Sequence, residues 1–397
     1  MRSTSCRDIA QAVLERAIAG DAPADLPVEL LAEDCGQALF GVLVEGLADR
    51  FEPGLCDVYA RLFSQAIEWA IPRLESRALI ERYRRVRAVG SRKRLPHKVF
   101  VLSRITLGAD VVVTSVVMSA AKKHFPDAMI GFVGPYKNYE LFAGDPRVQH
   151  VPVSYHRGGL RDRLAVWDEL KGLLDAPDAL VLDPDSRLTQ LGLLPVCDEE
   201  RYCFFESRGF GADSTKSLAE LTSDWCAETF GMSSGRPYIA LPGPLPKSEP
   251  YIAISLGVGE NQAKRIADPF EEKLLALVAA KRMPLYIDKG AGGEEEQRVL
   301  RAVERAGVTA TFWEGSFAGF ARIIAGSRLY VGYDSAGQHI ASATGVPLIT
   351  IFTGFPVPRM FERWKPTGDR CRVVRLDRPD TDQALTAVTI ALNDLTA

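Results

Sequence analysis

The chain has 397 residues, with 48 Lys/Arg against 51 Asp/Glu for a formal net charge of −3, and 47% of it is hydrophobic. That length allows two or three domains, and that balance excludes a disordered chain and gives no reason to expect nucleic acid as a partner. No apolar run reaches the roughly 18 residues of a membrane helix, and the charged N-terminus lacks a signal-peptide core, so a cytoplasmic location is expected.

Residues 1–95 show helical spacing only and are read as a helical accessory domain. Ile9, Val13, Leu14 and Ala17 form one face, a second pattern runs from Leu26 to Leu47, and a long helix from Leu55 to Val89 is interrupted near Pro72. Residues 1–70 hold 5 Lys/Arg and 12 Asp/Glu, whereas residues 71–98 hold 10 and 2. The basic run includes Arg82, Arg84, Arg85, Arg87, Arg92, Lys93 and Arg94. It is either a solvated helix face or, over residues 82–98, a surface for an anionic membrane or an acidic acceptor, which would make the protein peripheral at the inner face of the plasma membrane. Gly90 to Pro96 reads as a linker.

From Lys98 strands and helices alternate, the pattern of an α/β fold. Strands are expected at Lys98–Leu102, Met129–Val133, Gln149–Val153 and Ala179–Asp183, with helices at Val111–Phe125 and Leu160–Leu174. Pro184 to Gly211 is rich in turns, and its Arg187 and Arg208 suit either an acceptor cleft or structural ion pairs. The proline-rich stretch Pro237 to Pro250 reads as a connector, after which the alternation restarts with strands at Tyr251, Pro284, Val308, Leu329, Pro347 and Arg372. Residues 96–245 and 246–397 are therefore two Rossmann-like domains facing a crevice. The seven cysteines form no C-x-x-C pair and are read as reduced; the five histidines are dispersed, so no metal site is expected.

Ligands of open parallel sheets bind at the carboxyl ends of strands, and four loops lie there. In Ser103–Asp110, Gly108 gives flexibility and Asp110 is either a helix N-cap or a general base. Gly257 and Gly259 precede Lys264 and Arg265, cations suited to a diphosphate. Glu294 follows the glycine-rich end of a strand, where it either holds ribose hydroxyls or matches the helix dipole. The fourth loop, Asp334-Ser335-Ala336-Gly337-Gln338, joins a strand to a helix whose start suits a phosphate. There is no G-x-x-x-x-G-K-[ST] run and no G-x-G-x-x-G on the first strand, against a P-loop NTPase and a nicotinamide dehydrogenase.

From Lys98 onward the chain resembles glycosyltransferase family 9, the inverting GT-B heptosyltransferases. The family reads D-[ST]-G-x-x-H-x-A-x-A-x-G-x-P, and this chain reads Asp334 to Pro347 at the same spacing, with Ala336 in place of the first glycine and His339 kept. The family's R-x-x-x-x-G-D loop stands here as Arg104 to Asp110, with Ala109 between Gly108 and Asp110. The resemblance implies a base at Asp110, diphosphate contacts from Lys264 and Arg265, and a ribose contact from Glu294. It further implies an adenine pocket at Gly315 and Ser316, a sugar contact from Asp334, and a phosphate cradle at Ser335, Ala336 and Gly337. The expected reaction is inverting, metal-independent transfer of a sugar from a nucleotide-diphospho-sugar, by resemblance ADP-heptose, to a hydroxyl of lipopolysaccharide core or of another glycan or protein, with no cofactor. The alternatives are a nucleotide-sugar epimerase of the same architecture and a non-catalytic nucleotide-sugar-binding protein.

Overall fold

The computed structural model describes residues 5–88, 96–231, 235–245, 249–259, 261–290 and 292–396. By contacts the chain forms two units. The first comprises Met1–Thr106, Val113–Tyr139 and Pro146–Arg236, the second Leu107–Val112, Glu140–Asp145 and Pro237–Ala397.

The chain opens with α1 (Cys6–Ile18), started by a capping box between Ser5 and Asp8. The Leu26–Leu47 pattern is not one helix. It breaks into 3-10 turns at Val28–Leu31 and Glu33–Cys35, a π-helical stretch at Ala38–Val44 and the short α2 (Glu45–Ala48). Cys6 and Cys35 are joined in a disulfide, which corrects the reading of all seven cysteines as reduced. Both sulfurs are thereby consumed, so the cluster they form with Asp34 offers no thiolate to a metal. Helix α3 (Pro53–Ala70) begins on Pro53, whose fixed φ suits the first helical position, and α4 (Ser76–Val86) follows the break at Pro72.

The first sheet contains β1 (Lys98–Leu102), β2 (Met129–Gly134), β3 (Val148–Pro152), β4 (Ala179–Asp183) and β5 (Tyr202–Phe204), all parallel in the order β3-β2-β1-β4-β5. After β1 come a turn of helix, α5 (Leu107–Ala109), a π-helical turn at Asp110–Thr114, and α6 (Ser115–His124). Helices α7 (Tyr136–Tyr139), α8 (Leu160–Leu164), α9 (Val166–Leu174) and α10 (Leu218–Phe230) complete this stretch.

The N-terminal helices share one hydrophobic core with this sheet: Phe40, Tyr59, Phe63 and Tyr83 pack with Leu164, Leu188, Leu194 and Phe204. The described residues of this N-terminal stretch thus fall within the first unit by contacts. Hydrogen bonds and ion pairs tie the helices to the sheet at this junction. Tyr59 Oη donates to Gln190 O at 3.0 Å, and Arg82 donates to Gly192 O at 2.8 Å while lying over the Tyr202 ring. Arg208, 3% exposed, pairs with Asp185 at 2.9 Å and stacks on Tyr59, so it is structural. Complete burial would raise the pKa of Asp185, but Arg208 and then Arg104 hold it below the ordinary carboxylate value.

Much of the basic run is also internally engaged. Arg82 is buried, Arg85 pairs with Glu199, and Arg87 pairs with Asp57 and Glu206, while Arg84 is exposed. Arg92, Lys93 and Arg94 lie outside the described residues. No helix among the described residues is long and apolar enough to cross a membrane.

The second sheet runs β11-β10-β9-β6-β7-β8, all parallel. Its strands are β6 (Ile252–Ser255), β7 (Leu285–Asp288), β8 (Thr311–Trp313), β9 (Leu329–Tyr333), β10 (Leu348–Phe352) and β11 (Cys371–Arg375). Its helices are α11 (Phe270–Ala279), α12 (Gly293–Ala306), α13 (Phe317–Gly326), α14 (Ala336–Thr344), α15 (Pro358–Trp364) and α16 (Thr381–Thr396). Strands β6, β9 and β10 are buried along their length, and their nearly continuous apolar character suits a sheet covered on both faces. The order reverses between β6 and β9, and this is the switch point at which an open α/β sheet binds its ligand.

Candidate active site

At the switch point β9 ends at Tyr333, Asp334 follows it, and α14 begins at Ala336. Ser335 is extended and its side chain makes no cap bond, so the first turn of α14 is not closed by the serine. A Cβ at position 337 would overlap the buried hydroxyl of Tyr330. Glycine at 337 therefore lets the first turn of α14 sit directly on the strand.

Asp334, 4% exposed, receives two donors. Lys264 Nζ lies 2.5 Å from Oδ2, and Gln338 Nε2 lies 2.5 Å from Oδ1. Adjacency of β6 and β9 brings these residues together, because the loop after β6 carries Lys264 and the loop after β9 carries Asp334. His339 is buried beside them, its Nε2 3.3 Å from the Gln338 amide nitrogen. Burial pushes the His339 pKa down to about 4, outweighing the Asp334 carboxylate that favours the cation.

The other expected residues divide into those at this centre and those engaged elsewhere. Gly108 is at the centre: a Cβ there would stand 3.1 Å from the His339 ring and 3.4 Å from Ala336 Cα, so α5 packs on α14 within the second unit. Asp110 follows two residues later as the first residue of the π-helical turn, fully buried and inside the helical stretch rather than at its N-cap. Arg265 is taken up by Asp268 and Glu271, and Glu271 also holds Arg298. Ser316 caps α13 by accepting from Gly319 N at 3.1 Å, and the Trp313 ring packs against Gly315 and Gly319.

Glu294 is exposed in the first turn of α12, whereas its neighbour Glu295 points at the loops after β6 and β7. A Cβ on Gly257 would come 2.8 Å from Glu295 Oε1, and one on Gly290 would overlap that oxygen. The carboxylate over the two glycine loops is thus Glu295. Sequence reasoning missed it because three glutamates are consecutive and only the helical phase distinguishes them. Gly259 has a left-handed φ of +62°, and its neighbour Glu260, like Ala291 in the next loop, lies outside the described residues. Chemically, the second unit offers a cation, a helix start bordered by glycine, and an acid over glycine loops, the set a nucleoside diphosphate requires.

A family model for glycosyltransferase family 9 (heptosyltransferase) matches residues 188–387. Among solved structures the chain is similar to E. coli heptosyltransferase WaaC with ADP-2-deoxy-2-fluoro heptose, at 17% identity over 75% of this chain and 99% of that one, with a TM-score of 0.58. It is similar to E. coli ADP-heptose LPS heptosyltransferase II at 17% identity over 76% and 100% of the two chains, with a TM-score of 0.52. A glycosyl transferase family 9 structure from Veillonella parvula DSM 2008 gives 14% identity over 77% and 99%, with a TM-score of 0.59. At these identities the likeness shows the fold alone, the GT-B architecture of two parallel α/β sheets. No curated protein sequence matches the chain. With half of its length matched by the family model, the chain belongs to glycosyltransferase family 9, the heptosyltransferases.

Proposed function

We propose that the protein transfers a sugar from a nucleotide-diphospho-sugar to an acceptor hydroxyl with inversion at the anomeric carbon, and that the donor is ADP-heptose. The observation that carries this is the pairing of Lys264 with Asp334 at the open start of α14. The two solved E. coli relatives are named for ADP-heptose or one of its analogues, which supports the choice of donor. Lys264 and the N–H groups of α14 stabilise the diphosphate as it leaves, and Glu295 takes the ribose hydroxyls. The acceptor oxygen attacks C1 as the C1–O bond to phosphate breaks; Asp110 takes the acceptor proton, and ADP departs with the bonding pair. Charge neutralisation by Lys264 and α14 makes the reaction metal-independent. The acceptor is a hydroxyl of lipopolysaccharide core or of another glycan or protein.

The test supplies ADP-heptose with lipopolysaccharide core acceptors, with and without EDTA, and follows the products by mass spectrometry and the new anomeric centre by NMR. A heptosylated product of inverted configuration, formed equally in EDTA, is expected. Conversion of ADP-heptose to an isomer without acceptor would establish the epimerase instead.

A further inference from the structure

The two donors to Asp334 differ in kind. Lys264 reaches Oδ2 from a loop, and its side chain is 18% exposed. Gln338 reaches Oδ1 from α14 and is fully buried. The Gln338 amide is itself oriented: its Oε1 accepts from Thr350 Oγ1 at 2.7 Å, and Thr350 is fully buried on β10. That bond sets the NH2 group towards Asp334, where Nε2 also stands 3.4 Å from Trp364 O. An anion arriving at α14 therefore competes for the half-buried ammonium on the loop and leaves the fully buried amide in place.

Resting on the donor-site reading above, we propose that Gln338, held by Thr350, is a positioning residue that fixes Asp334 for the donor sugar, and that Lys264 masks the second Asp334 oxygen until a diphosphate draws the ammonium away. Diphosphate recognition then precedes sugar recognition. Once Oδ2 is released it accepts a sugar hydroxyl, while Oδ1 stays on the Gln338 amide. No bond is made or broken; one ammonium exchanges a carboxylate for a phosphate. The arrangement favours a nucleotide that carries both a diphosphate and a hydroxylated sugar, since the sugar contact opens only after the phosphate contact forms.

Calorimetric titration with ADP, ADP-heptose and inorganic pyrophosphate tests this on the full chain. Wild type is expected to bind ADP-heptose more tightly than ADP. Asp334→Asn frees Lys264 and is expected to bind ADP and pyrophosphate several-fold more tightly than wild type, with ADP-heptose no tighter than ADP. Gln338→Met, and Gln338→Met combined with Thr350→Val, are expected to leave ADP affinity within about twofold and to lower ADP-heptose affinity about tenfold, the worth of one hydrogen bond to a charged group. An equal fall for both nucleotides would make Gln338 a structural residue and overturn the proposal, as would an unchanged ADP-heptose affinity. Unchanged or weaker ADP and pyrophosphate binding by Asp334→Asn would overturn the masking step. Wild type binding ADP but not ADP-heptose would sink the donor assignment, and the pyrophosphate arm would still decide the masking step.

Discussion

Lys264 and Asp334 stand 70 residues apart in the chain and 2.5 Å apart in space, with the carboxylate almost wholly buried and the ammonium partly in solvent. A buried carboxylate that loses its cation is costly, on the order of 3–5 kcal/mol. Lys264→Met is therefore expected to lower stability as well as donor binding. Lys264→Met/Asp334→Asn should recover most of the stability and none of the ADP affinity lost by the single variant. Urea unfolding beside ADP titration separates the two effects.

Asp110 is buried at the start of a π-helical turn, two residues from the glycine that touches α14. Asp110→Asn is expected to reduce turnover by about two to four powers of ten, the usual loss on removing a general base, and to leave the Kd for ADP unchanged. Single-turnover transfer measured beside ADP binding checks this. Normal turnover would refute the assignment.

His339 is neutral in the folded protein, its pKa lowered to about 4 from 6.5. Between those values the unfolded chain binds more protons than the folded one. The sign is therefore a stability contribution fully present above pH 6.5 and lost as pH falls towards 4, amounting to about 3 kcal/mol. His339→Gln should flatten the dependence of the urea midpoint on pH between 7 and 4.5 relative to wild type. An unchanged slope would show that His339 is already protonated or solvated.

Arg208 and Asp185 form a buried pair under the N-terminal helices. Arg208→Met should cost about 3–5 kcal/mol by stranding Asp185. Arg208→Met/Asp185→Asn should cost much less, since asparagine tolerates the left-handed backbone at position 185, where φ is +66°. Thermal melts of the three proteins decide it.

Deleting residues 1–88 would remove Phe40, Tyr59, Phe63 and Tyr83 from the core they share with the first sheet. The truncated chain is expected to lose cooperative melting and near-ultraviolet dichroism, so acceptor docking by these helices has to be tested by surface substitutions such as Arg84→Glu. A truncated protein that melts cooperatively would show that the helices are separable.

Most strands were legible because short, mainly apolar runs between turn residues suit a sheet covered on both faces. The three-residue β5 was not, since Tyr202–Phe204 sits in a turn-rich stretch and is a strand only by its pairing with β4. Gln338 left a usable signal, standing four residues after Asp334 at the opening of a helix, where side chains at that spacing meet. Thr350 left none, because nothing in sequence links α14 to the face of β10 that it covers.

By itself the sequence determined the alternation of strands and helices, the motif from Asp334 to Pro347 and the lysine in the loop after β6, since periodicity and turn chemistry are properties of neighbouring residues. Only the tertiary structure decided that Lys264 meets Asp334, that Glu295 rather than Glu294 covers the glycine loops, and that the N-terminal helices share a core with the first sheet. Each of these depends on which strands lie side by side and on the phase at which a helix lands against them, and residue spacing along the chain carries neither.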